Sequence, residues 1–409
     1  MSRTARRLAL AAALLAVLPW IPGLDGNFAR SLASQMGIAA IFAISFNLLL
    51  GQTGLLSFGH AVYFGLGGYA AIHLLRAVNS GLPIPVPFVP LAGAAAGLAA
   101  GIVIGAVATR RAGTIFALIT LGVGELVHAA SLMLPGFFGG EEGITASRTR
   151  APHFLGLDFS SQVQVYYVIA FWLLVTGVLA LAFMRTPVGR MCNAVRDNPE
   201  RAEFIGYDPQ RVRLVACAVA AAFAGLAGGL HAINYEIVTS EAVGAARSGE
   251  VLLMVYIGGV HHFIGAIVGA VAITWLQVSL SDYTTAWLLY LGLAFMAVIL
   301  YAPGGLAAVI ARHAAIARTR ARGAVVRAYA LALPAALMML GGAVTIVEIA
   351  YRLSTQPEAG GRMRLFWIPV DATTPWPWLG AAATAAAGFF LLRLAAPRVR
   401  SAWEVAIDG

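Results

Sequence analysis

The chain has 409 residues, of which 60% are hydrophobic and only 11% are charged, with a mean hydropathy of +0.82. A water-soluble fold has too little interior to bury that much apolar surface, so the composition predicts an all-α, polytopic membrane protein. The formal charge of +9 does not indicate nucleic-acid binding. The arginines lie in short loops between apolar runs, where they orient the spans.

Ten apolar runs are long enough to cross a bilayer. They lie at residues 8–22, 31–50, 57–75, 86–108, 113–133, 163–184, 214–232, 284–302, 328–351 and 376–395. The first run follows three arginines but no small-x-small cleavage site comes after it, which favours a retained span over a signal peptide.

Charge fixes the path through the membrane. With the N-terminus in the cytoplasm, the fifth and sixth spans enclose an outer loop, residues 134–162, which has a net negative charge. The sixth span then returns the arginine-rich loop, residues 185–213, to the cytoplasm.

This arginine-rich loop contains the start and stop signals of a short helix from Pro199 to Ile205. Asn198 can cap the N-terminus, Pro199 suits the first helical position, and Glu200 suits the positive end of the helix dipole. Gly206 can end the helix in a left-handed conformation. A capped helix here predicts a docking site for a partner. The alternative is a solvated basic loop that only fixes the topology.

Residues 250–281 decide on which side the chain continues. A single crossing would place the five arginines between residues 312 and 327 outside, against the positive-inside rule. We therefore predict a hairpin in which Glu250 to Gly259 enters the membrane and Gly265 to Leu280 returns, either as a re-entrant element or as two full spans. The histidines at its turn, His261 and His262, need a partner or water.

A second irregular segment, residues 47–60, interrupts apolar sequence with polar side chains and glycines. At membrane depth its backbone groups need protein or water as partners, which is typical of a transport pathway. An ordinary short turn with a packed glycine face is the alternative. The candidate path residues from the two irregular segments are Asn47, Gly51, Ser57, His60, Gly258 and Gly259.

Glu125 lies inside the fifth apolar run, where an ionised carboxylate is costly unless it faces a cavity or a partner. We add it to the candidate path. The alternative is a solvated position near a helix end. His128 lies one turn further along, where it could share a hydrogen bond with Glu125.

Several site chemistries are not indicated. All 27 basic residues counted as Lys and Arg are arginine, so a lysine-containing phosphate-binding loop is excluded and this chain does not bind ATP in that way. Ser57 and His60 lack an orienting acid, so no catalytic residues are predicted. The histidines lack metal-ligand spacing, and Cys192 and Cys217 are not expected to form a disulfide. No cofactor is predicted for this chain.

The segment FNLLLGQTGLLSFGHAVYFGLGGYAA, residues 46–71, resembles the N-terminal signature of permease subunits of branched-chain amino acid ABC importers, the LivM/LivH type. The resemblance covers residues 8–310 and is closer to LivM. Its other segments are TLGVGEL (120–126), GGEEGI (139–144), GRMCNAVRDNPERAEFIGYDPQRVRLVA (189–216), AGLAGGLHA (224–232), EVLLMVYIGG (250–259) and YAPGGL (301–306).

The resemblance implies a multi-pass subunit of the bacterial inner membrane with a cytoplasmic N-terminus. Its partners would be a second, LivH-like permease, two cytoplasmic ABC ATPase subunits that bind ATP and Mg, an extracytoplasmic solute-binding protein and the lipid bilayer. The cytoplasmic loop, residues 185–213, corresponds to the family's coupling segment and is similar to the EAA loop of importers. The residues expected to couple to the ATPase are Arg196, Asn198, Pro199, Glu200, Ala202 and Gly206.

The sequence divides into a permease core at 1–310, a basic cytoplasmic linker at 311–327 and a C-terminal extension at 328–409 with two further spans. The family core does not require this extension. A further departure is the hairpin turn, where His261-His262 replace the usual glycine and small polar residues and Ala266 stands where proline is common.

The expected function is ATP-driven import of branched-chain or related small amino acids. These departures leave open import of urea, short amides or another small organic solute by the same architecture. An ion-coupled secondary transporter is the alternative from another class; it needs a coupling acid in an unwound helix and no docking helix.

Overall fold

The computed structural model describes residues 12–21, 26–154, 156–316, 322–355, 362–365 and 368–408. Over these residues the chain is mostly helical, with two short two-stranded sheets, so the predicted all-α class is confirmed. The chain forms two compact units. The first contains the described residues up to Tyr283 together with Leu291–Ala308, and the second contains Thr284–Tyr290 and the described residues from Val309 onward.

The helices up to residue 283 belong to the first unit. They are α1 (Asn27–Thr53), α2 (Ala61–Asn79), α3 (Val89–Ala108), α4 (Thr114–Met133), α5 (Pro135–Phe138), α6 (Gln162–Arg185), α7 (Pro187–Asp197), α8 (Pro199–Phe204), α9 (Pro209–Tyr235), α10 (Ala245–Gly258) and α11 (Phe263–Tyr283). Short 3-10 turns lie at Leu18–Trp20, Val86–Phe88, Arg148–Arg150 and Ser240–Val243. Strands β1 (Ile144–Thr145) and β2 (Ile237–Val238) pair antiparallel.

Most of the predicted spans are present as single helices. Among the described residues, nine helices are long and apolar enough to cross a membrane: α1, α2, α3 with the turn before it, α4, α6, α9, α11, and two more, α14 (Arg322–Thr355) and α15 (Pro375–Asp408). The run at 284–302 is instead part of a pair, α12 (Trp287–Tyr301) and α13 (Gly305–Ile316), bent by 56°. The predicted first span, 8–22, lies partly outside the described residues.

The centre of the first unit is formed by α1, α2 and α9, which are mostly buried, while α3, α4 and α6 bury only one side. Helix α9 packs most extensively on α3. The buried side of α3 has a glycine at every fourth position, from Gly93 through Gly97 and Gly101 to Gly105. These glycines lie directly against the backbone and small side chains of α9. Such small residues let two helices approach closely inside a bilayer, as expected for a chain rich in glycine.

Long helices separate two ends of the first unit. Helix α6 has 24 residues, which corresponds to about 36 Å. One end carries the arginine-rich segment that follows α6, and we call it the basic end. The other end carries the loop of residues 134–162, where β1 pairs with β2 and the Arg76 side chain donates to the Thr145 carbonyl at 2.9 Å. We call it the opposite end.

The predicted hairpin at 250–281 is formed by α10 and α11. Helix α10 has 14 residues, about 21 Å, which is too short for a hydrocarbon core of about 30 Å. Helix α11 has 21 residues and meets the length for a span. The element is therefore a half-length helix followed by a full one, and not two full spans. At its tip the side chains of His261 and His262 are exposed, so water can satisfy them.

The tip of this hairpin lies at the basic end. Val260 accepts a hydrogen bond from the Asn47 side chain in the last two turns of α1, at 2.6 Å. Gly259 packs against Gly304, so the break after α12 lies at the same end. This is the path that the distribution of arginines predicted.

The second unit consists mainly of α14 and α15, which pack closely where Gly342 and Gly388 meet the opposing backbone. Strands β3 (Arg362–Leu365) and β4 (Ile368–Asp371), which lie between these helices in the sequence, pair antiparallel. Tyr329 accepts a hydrogen bond from the Trp403 indole at 2.9 Å. The predicted linker, 311–327, lies partly outside the described residues, and the predicted boundary at residue 310 stays a prediction.

We predict that Gly97→Ala destabilises the protein by about 1–3 kcal/mol, the usual cost of overpacking. A Cβ at residue 97 would lie 2.9 Å from the Gly225 Cα and closer still to the Ala221 carbonyl oxygen. The measurement is thermal unfolding in detergent. The matched control is Gly177→Ala in α6, where a Cβ meets nothing within 4 Å, so that alanine should not destabilise. Equal unfolding temperatures for Gly97→Ala and the wild type would contradict the packing argument.

Candidate functional site

The helix predicted in the arginine-rich segment is α8. The Asn198 side chain accepts from the Arg201 N–H at 2.9 Å, Pro199 is the first helical residue, and Glu200 lies in the first turn. The helix ends at Phe204, one residue before the predicted end. Gly206 follows with φ +90°, a conformation that favours glycine. The local start and stop signals therefore act as the sequence indicated, while the role of these residues in coupling stays a prediction.

A second helix in the same segment, α7, was not predicted from the sequence. The Thr186 side chain accepts from the Gly189 N–H at 3.1 Å, and Pro187 is the first helical residue. This repeats the arrangement of Asn198 and Pro199. The signal that could have found α7 is a capping residue directly before proline, which begins a helix at both places.

Helix α8 presents an apolar tip to the outside of the unit. Phe204 is 89% exposed and Ile205 is 62% exposed, whereas Ala202 is buried against the unit. Glu200 and Glu203 are exposed beside this tip. We define the α8 surface as Glu200, Glu203, Phe204 and Ile205. Exposed phenylalanine and isoleucine next to each other on a capped helix are typical of a contact surface.

Helix α7 is fastened to the end of α1. Arg196 donates from Nη1 to the Gly51 carbonyl at 2.5 Å, and its Nε contacts the Asp197 carboxylate at 3.0 Å. One turn earlier, the Asn193 amide donates to the Gln52 side chain at 3.1 Å. The last carbonyls of a helix lack partners within the helix, so the Arg196 guanidinium satisfies a group that α1 itself leaves open.

The end of α1 also contacts the hairpin tip. Besides the bond from Asn47 to the Val260 carbonyl, a Cβ at Gly51 would lie 2.6 Å from that same oxygen. Gly258 packs closely on the backbone of α11. Direct contacts therefore run from α7 through the end of α1 to the hairpin, and they bring together Arg196, Gly51 and Asn47 of the predicted sites.

Two other candidate path residues lie in the core of the unit. His60 is fully buried between the rings of Phe42 and Phe46, and its Nε2 lies 2.9 Å from the Ser45 hydroxyl. Ser57 is also buried, and within the described part of the chain its hydroxyl has no hydrogen-bond partner. Neither side chain faces an open surface of this unit.

Glu125 is exposed on α4, away from the other candidates. His128 does not share a hydrogen bond with it: the His128 ring lies 3.2 Å from the Ser240 carbonyl. Gly122, one turn before Glu125, has open space around its Cβ position. The described part of the first unit thus leaves this carboxylate on an outer face.

At the opposite end a buried arginine caps α9, which sequence analysis had counted only as loop charge. The Arg148 side chain donates to the carbonyls of Ile233, Asn234 and Phe159 at 2.9–3.1 Å. Next to it is a polar depression of about 490 Å³, lined by Asn27, Ser31, Arg148, Ser160, Ser161 and Gln162. Among the described residues no cluster of three histidine, cysteine or acidic side chains could hold a metal ion.

The long apolar helices and the hairpin define a polytopic membrane protein. The family model described as "Branched-chain amino acid transport system / permease component" matches residues 28–303. Because this match covers more than half of the chain, the protein belongs to that family.

Named relatives agree with this family. The chain is 28% identical to the LivM high-affinity branched-chain amino acid transport permease of Salmonella typhimurium and 27% identical to that of Escherichia coli, in each case over 75% of this chain and 76% of the relative. It is 29% identical to a probable LivH permease of Methanocaldococcus jannaschii, over 57% of this chain and 73% of the relative. No solved structure matches the chain.

We predict that a Phe204→Cys variant reacts rapidly with a maleimide in detergent, whereas Cys192 does not. Phe204 is exposed on the α8 surface. Cys192 is buried in α7, and burial raises the pKa of its thiol to about 11, so little reactive thiolate forms near neutral pH. Labelling kinetics followed by mass spectrometry measure both sites. Fast labelling of Cys192 in the wild type would contradict the packing of α7.

Proposed function

We propose that this chain is the membrane-spanning subunit of an importer that moves branched-chain or related small amino acids into the cytoplasm, with ATP hydrolysed by separate subunits. Family membership supports the transport role. The observation that carries the coupling to ATP is the α8 surface, an exposed apolar tip on a capped helix that the described residues of its own unit leave uncovered. A chain without lysine has no phosphate-binding loop of its own.

The α8 surface fits a groove on a cytoplasmic ABC ATPase. Phe204 and Ile205 would supply the buried anchor, and Glu200 and Glu203 would supply charge for orientation. A movement of α8 would be transmitted to α1 through α7, because the Arg196 side chain bonds α7 to the last turn of α1. Helix α1 in turn contacts the hairpin tip through Asn47. Arg196, Asn198, Pro199, Glu200, Ala202 and Gly206 together form the proposed coupling segment.

The names of the relatives support one further partner. A LivM and a LivH permease are both named among them, which supports pairing of this chain with a second, LivH-like subunit. Two ATPases would then bind at the basic end, and ATP and Mg would be bound there by those partners. An extracytoplasmic solute-binding protein would dock at the opposite end.

We further propose that the basic end faces the cytoplasm of a bacterium, with this chain in the inner membrane. Arginine-rich loops are retained on the cytoplasmic side, and the net negative loop at 134–162 lies at the opposite end. An impermeant maleimide should label the Phe204→Cys variant in inside-out vesicles only. Labelling in right-side-out vesicles would reverse the orientation.

Glu125 would face the second permease or the path between the two subunits, since it is exposed on a spanning helix of this unit. A carboxylate in that position needs a cation, water or a hydrogen-bond donor. We expect Glu125→Gln to lower uptake or the yield of the permease pair, as measured by transport in vesicles and by copurification. Unchanged uptake and pairing would place Glu125 at a solvated position.

Two substitutions in the coupling segment test the docking. Glu200→Arg reverses a charge on the α8 surface, and Gly206→Pro forces φ from +90° to about −65°. We expect both variants to insert into the membrane but to lose stimulation of the ATPase by loaded binding protein. Glu404→Arg makes the same charge change on an exposed residue of α15 in the second unit and serves as the control. Normal coupled uptake in both coupling variants would exclude the docking role.

ATP-dependent uptake by the reconstituted complex tests the substrate. The panel contains leucine, isoleucine, valine, smaller amino acids, urea and short amides. We expect uptake of one or more branched-chain amino acids that requires ATP. Preferred uptake of urea or amides would support an ATP-driven importer but contradict the proposed substrate. Uptake driven by an ion gradient without the ATPases would replace the proposal by a secondary transporter.

A further inference from the structure

An ion pair stands at the beginning of the half-length helix α10. Arg247 Nη1 lies 2.6 Å from Glu250 Oε2, and the two side chains are only 29% and 19% exposed. The Arg247 guanidinium also lies over the Phe64 ring, 4.9 Å from its centre. From the sequence, Glu250 was predicted only to begin the hairpin, and no role was predicted for Arg247.

Aromatic rings and one buried ring nitrogen without a hydrogen-bond partner surround this pair. The Phe64 ring centre lies 5.4 Å from that of His231, which in turn lies 4.5 Å from that of Tyr235. The His231 Nδ1 is buried and has no hydrogen-bond partner within the described part of the chain. Tyr235 is 44% exposed, so the group opens to the outside of the unit.

The pair lies in the half of the unit that faces the opposite end. His231 is one turn before the end of α9 at Tyr235, and the next residues form β2, which pairs with the 134–162 loop. Helix α10 begins here and runs to the tip at the basic end. A solute arriving from the opposite end therefore meets this pair before it meets the hairpin tip.

The order of the two charges does not suit helix stabilisation. Arg247 is the third residue of α10, where the positive end of the helix dipole disfavours a cation. An acid placed before a base is the more stabilising arrangement along a helix, and here the base comes first. Stability of α10 alone therefore does not favour this order of the two charges.

We propose that Arg247 and Glu250 form a binding site for the zwitterionic backbone of an α-amino acid, which rests on the proposed function. The pair opens, Arg247 binds the substrate carboxylate with two parallel N–H bonds, and Glu250 accepts from the substrate ammonium. The Phe64 and Tyr235 rings provide an apolar wall for the substrate side chain.

Charge balance explains why this site selects a zwitterion. The closed pair is neutral, and the pair with a bound zwitterion is neutral too, so no net charge enters a poorly solvated region. A ligand with only a carboxylate or only an ammonium would leave one member of the opened pair without a partner. Urea and short amides carry no charge with which to open it.

The test uses the complete permease–ATPase complex in two measurements. The first is maximal leucine uptake at saturating loaded binding protein. The second is thermal stabilisation of the complex by leucine without binding protein, compared with leucinamide and 4-methylpentanoate. We expect Arg247→Gln and Glu250→Gln each to lower uptake and leucine affinity about tenfold or more, as loss of a charge-assisted hydrogen bond implies. Neither analogue should stabilise the wild type as leucine does.

Arg400→Gln and Glu404→Gln are the controls, because they remove the same charges from exposed residues of α15 in the second unit. Leucine uptake and leucine stabilisation unchanged in both pair variants would overturn the site while leaving the proposed function intact. Analogues that stabilise the wild type as well as leucine does would also overturn it. A wild-type complex that transports no α-amino acid would overturn the proposed function and this site together.

Arg247→Lys covers the case in which the glutamine variants do not assemble. Lysine keeps the charge but loses the planar fork that matches a carboxylate. We expect this variant to assemble, to be stimulated by the binding protein, and to show weaker leucine stabilisation. Leucine uptake and stabilisation equal to the wild type in this variant would contradict the site.

Discussion

Direct backbone contact between α3 and α9 is the constraint on which the first unit depends. Apolar side chains gain little by leaving lipid for another helix, so van der Waals contact has to hold spans together, and it is greatest where side chains are smallest. The glycines from Gly93 to Gly105 let α9 approach α3 closely along four turns of the helix. Since α9 begins after the coupling segment and ends beside the Arg247–Glu250 pair, this packing positions both.

Irregular backbone is stabilised in the same unit by side chains from distant segments. The end of α1 receives the Arg196 guanidinium at the Gly51 carbonyl, and Asn47 donates to Val260 at the hairpin tip. At the opposite end Arg148 caps α9 in a similar way. Each of these carbonyls lies near a helix end or in a turn, where the helix supplies no partner, and a side chain from a distant segment satisfies it.

Helices of the second unit also pack closely at glycines. Helices α14 and α15 meet at glycines, and the Tyr329 hydroxyl accepts from Trp403 within the unit. Outward faces of both helices are apolar and exposed, as suits lipid. The family match ends at residue 303, so this unit lies largely beyond the part that the family shares.

The sequence by itself determined the membrane class, most spans and the capped helix α8, because these depend on apolar runs and on residues three or four positions apart. It missed α7, although Thr186 and Pro187 carry the same signal as Asn198 and Pro199. Only the tertiary structure decided that His60 is enclosed, that Glu125 faces outward and that Arg247 covers Phe64. Such contacts join residues that are far apart in the sequence, as Arg196 and Gly51 are, 145 positions apart. A local sequence pattern does not indicate which distant backbone group a side chain will contact.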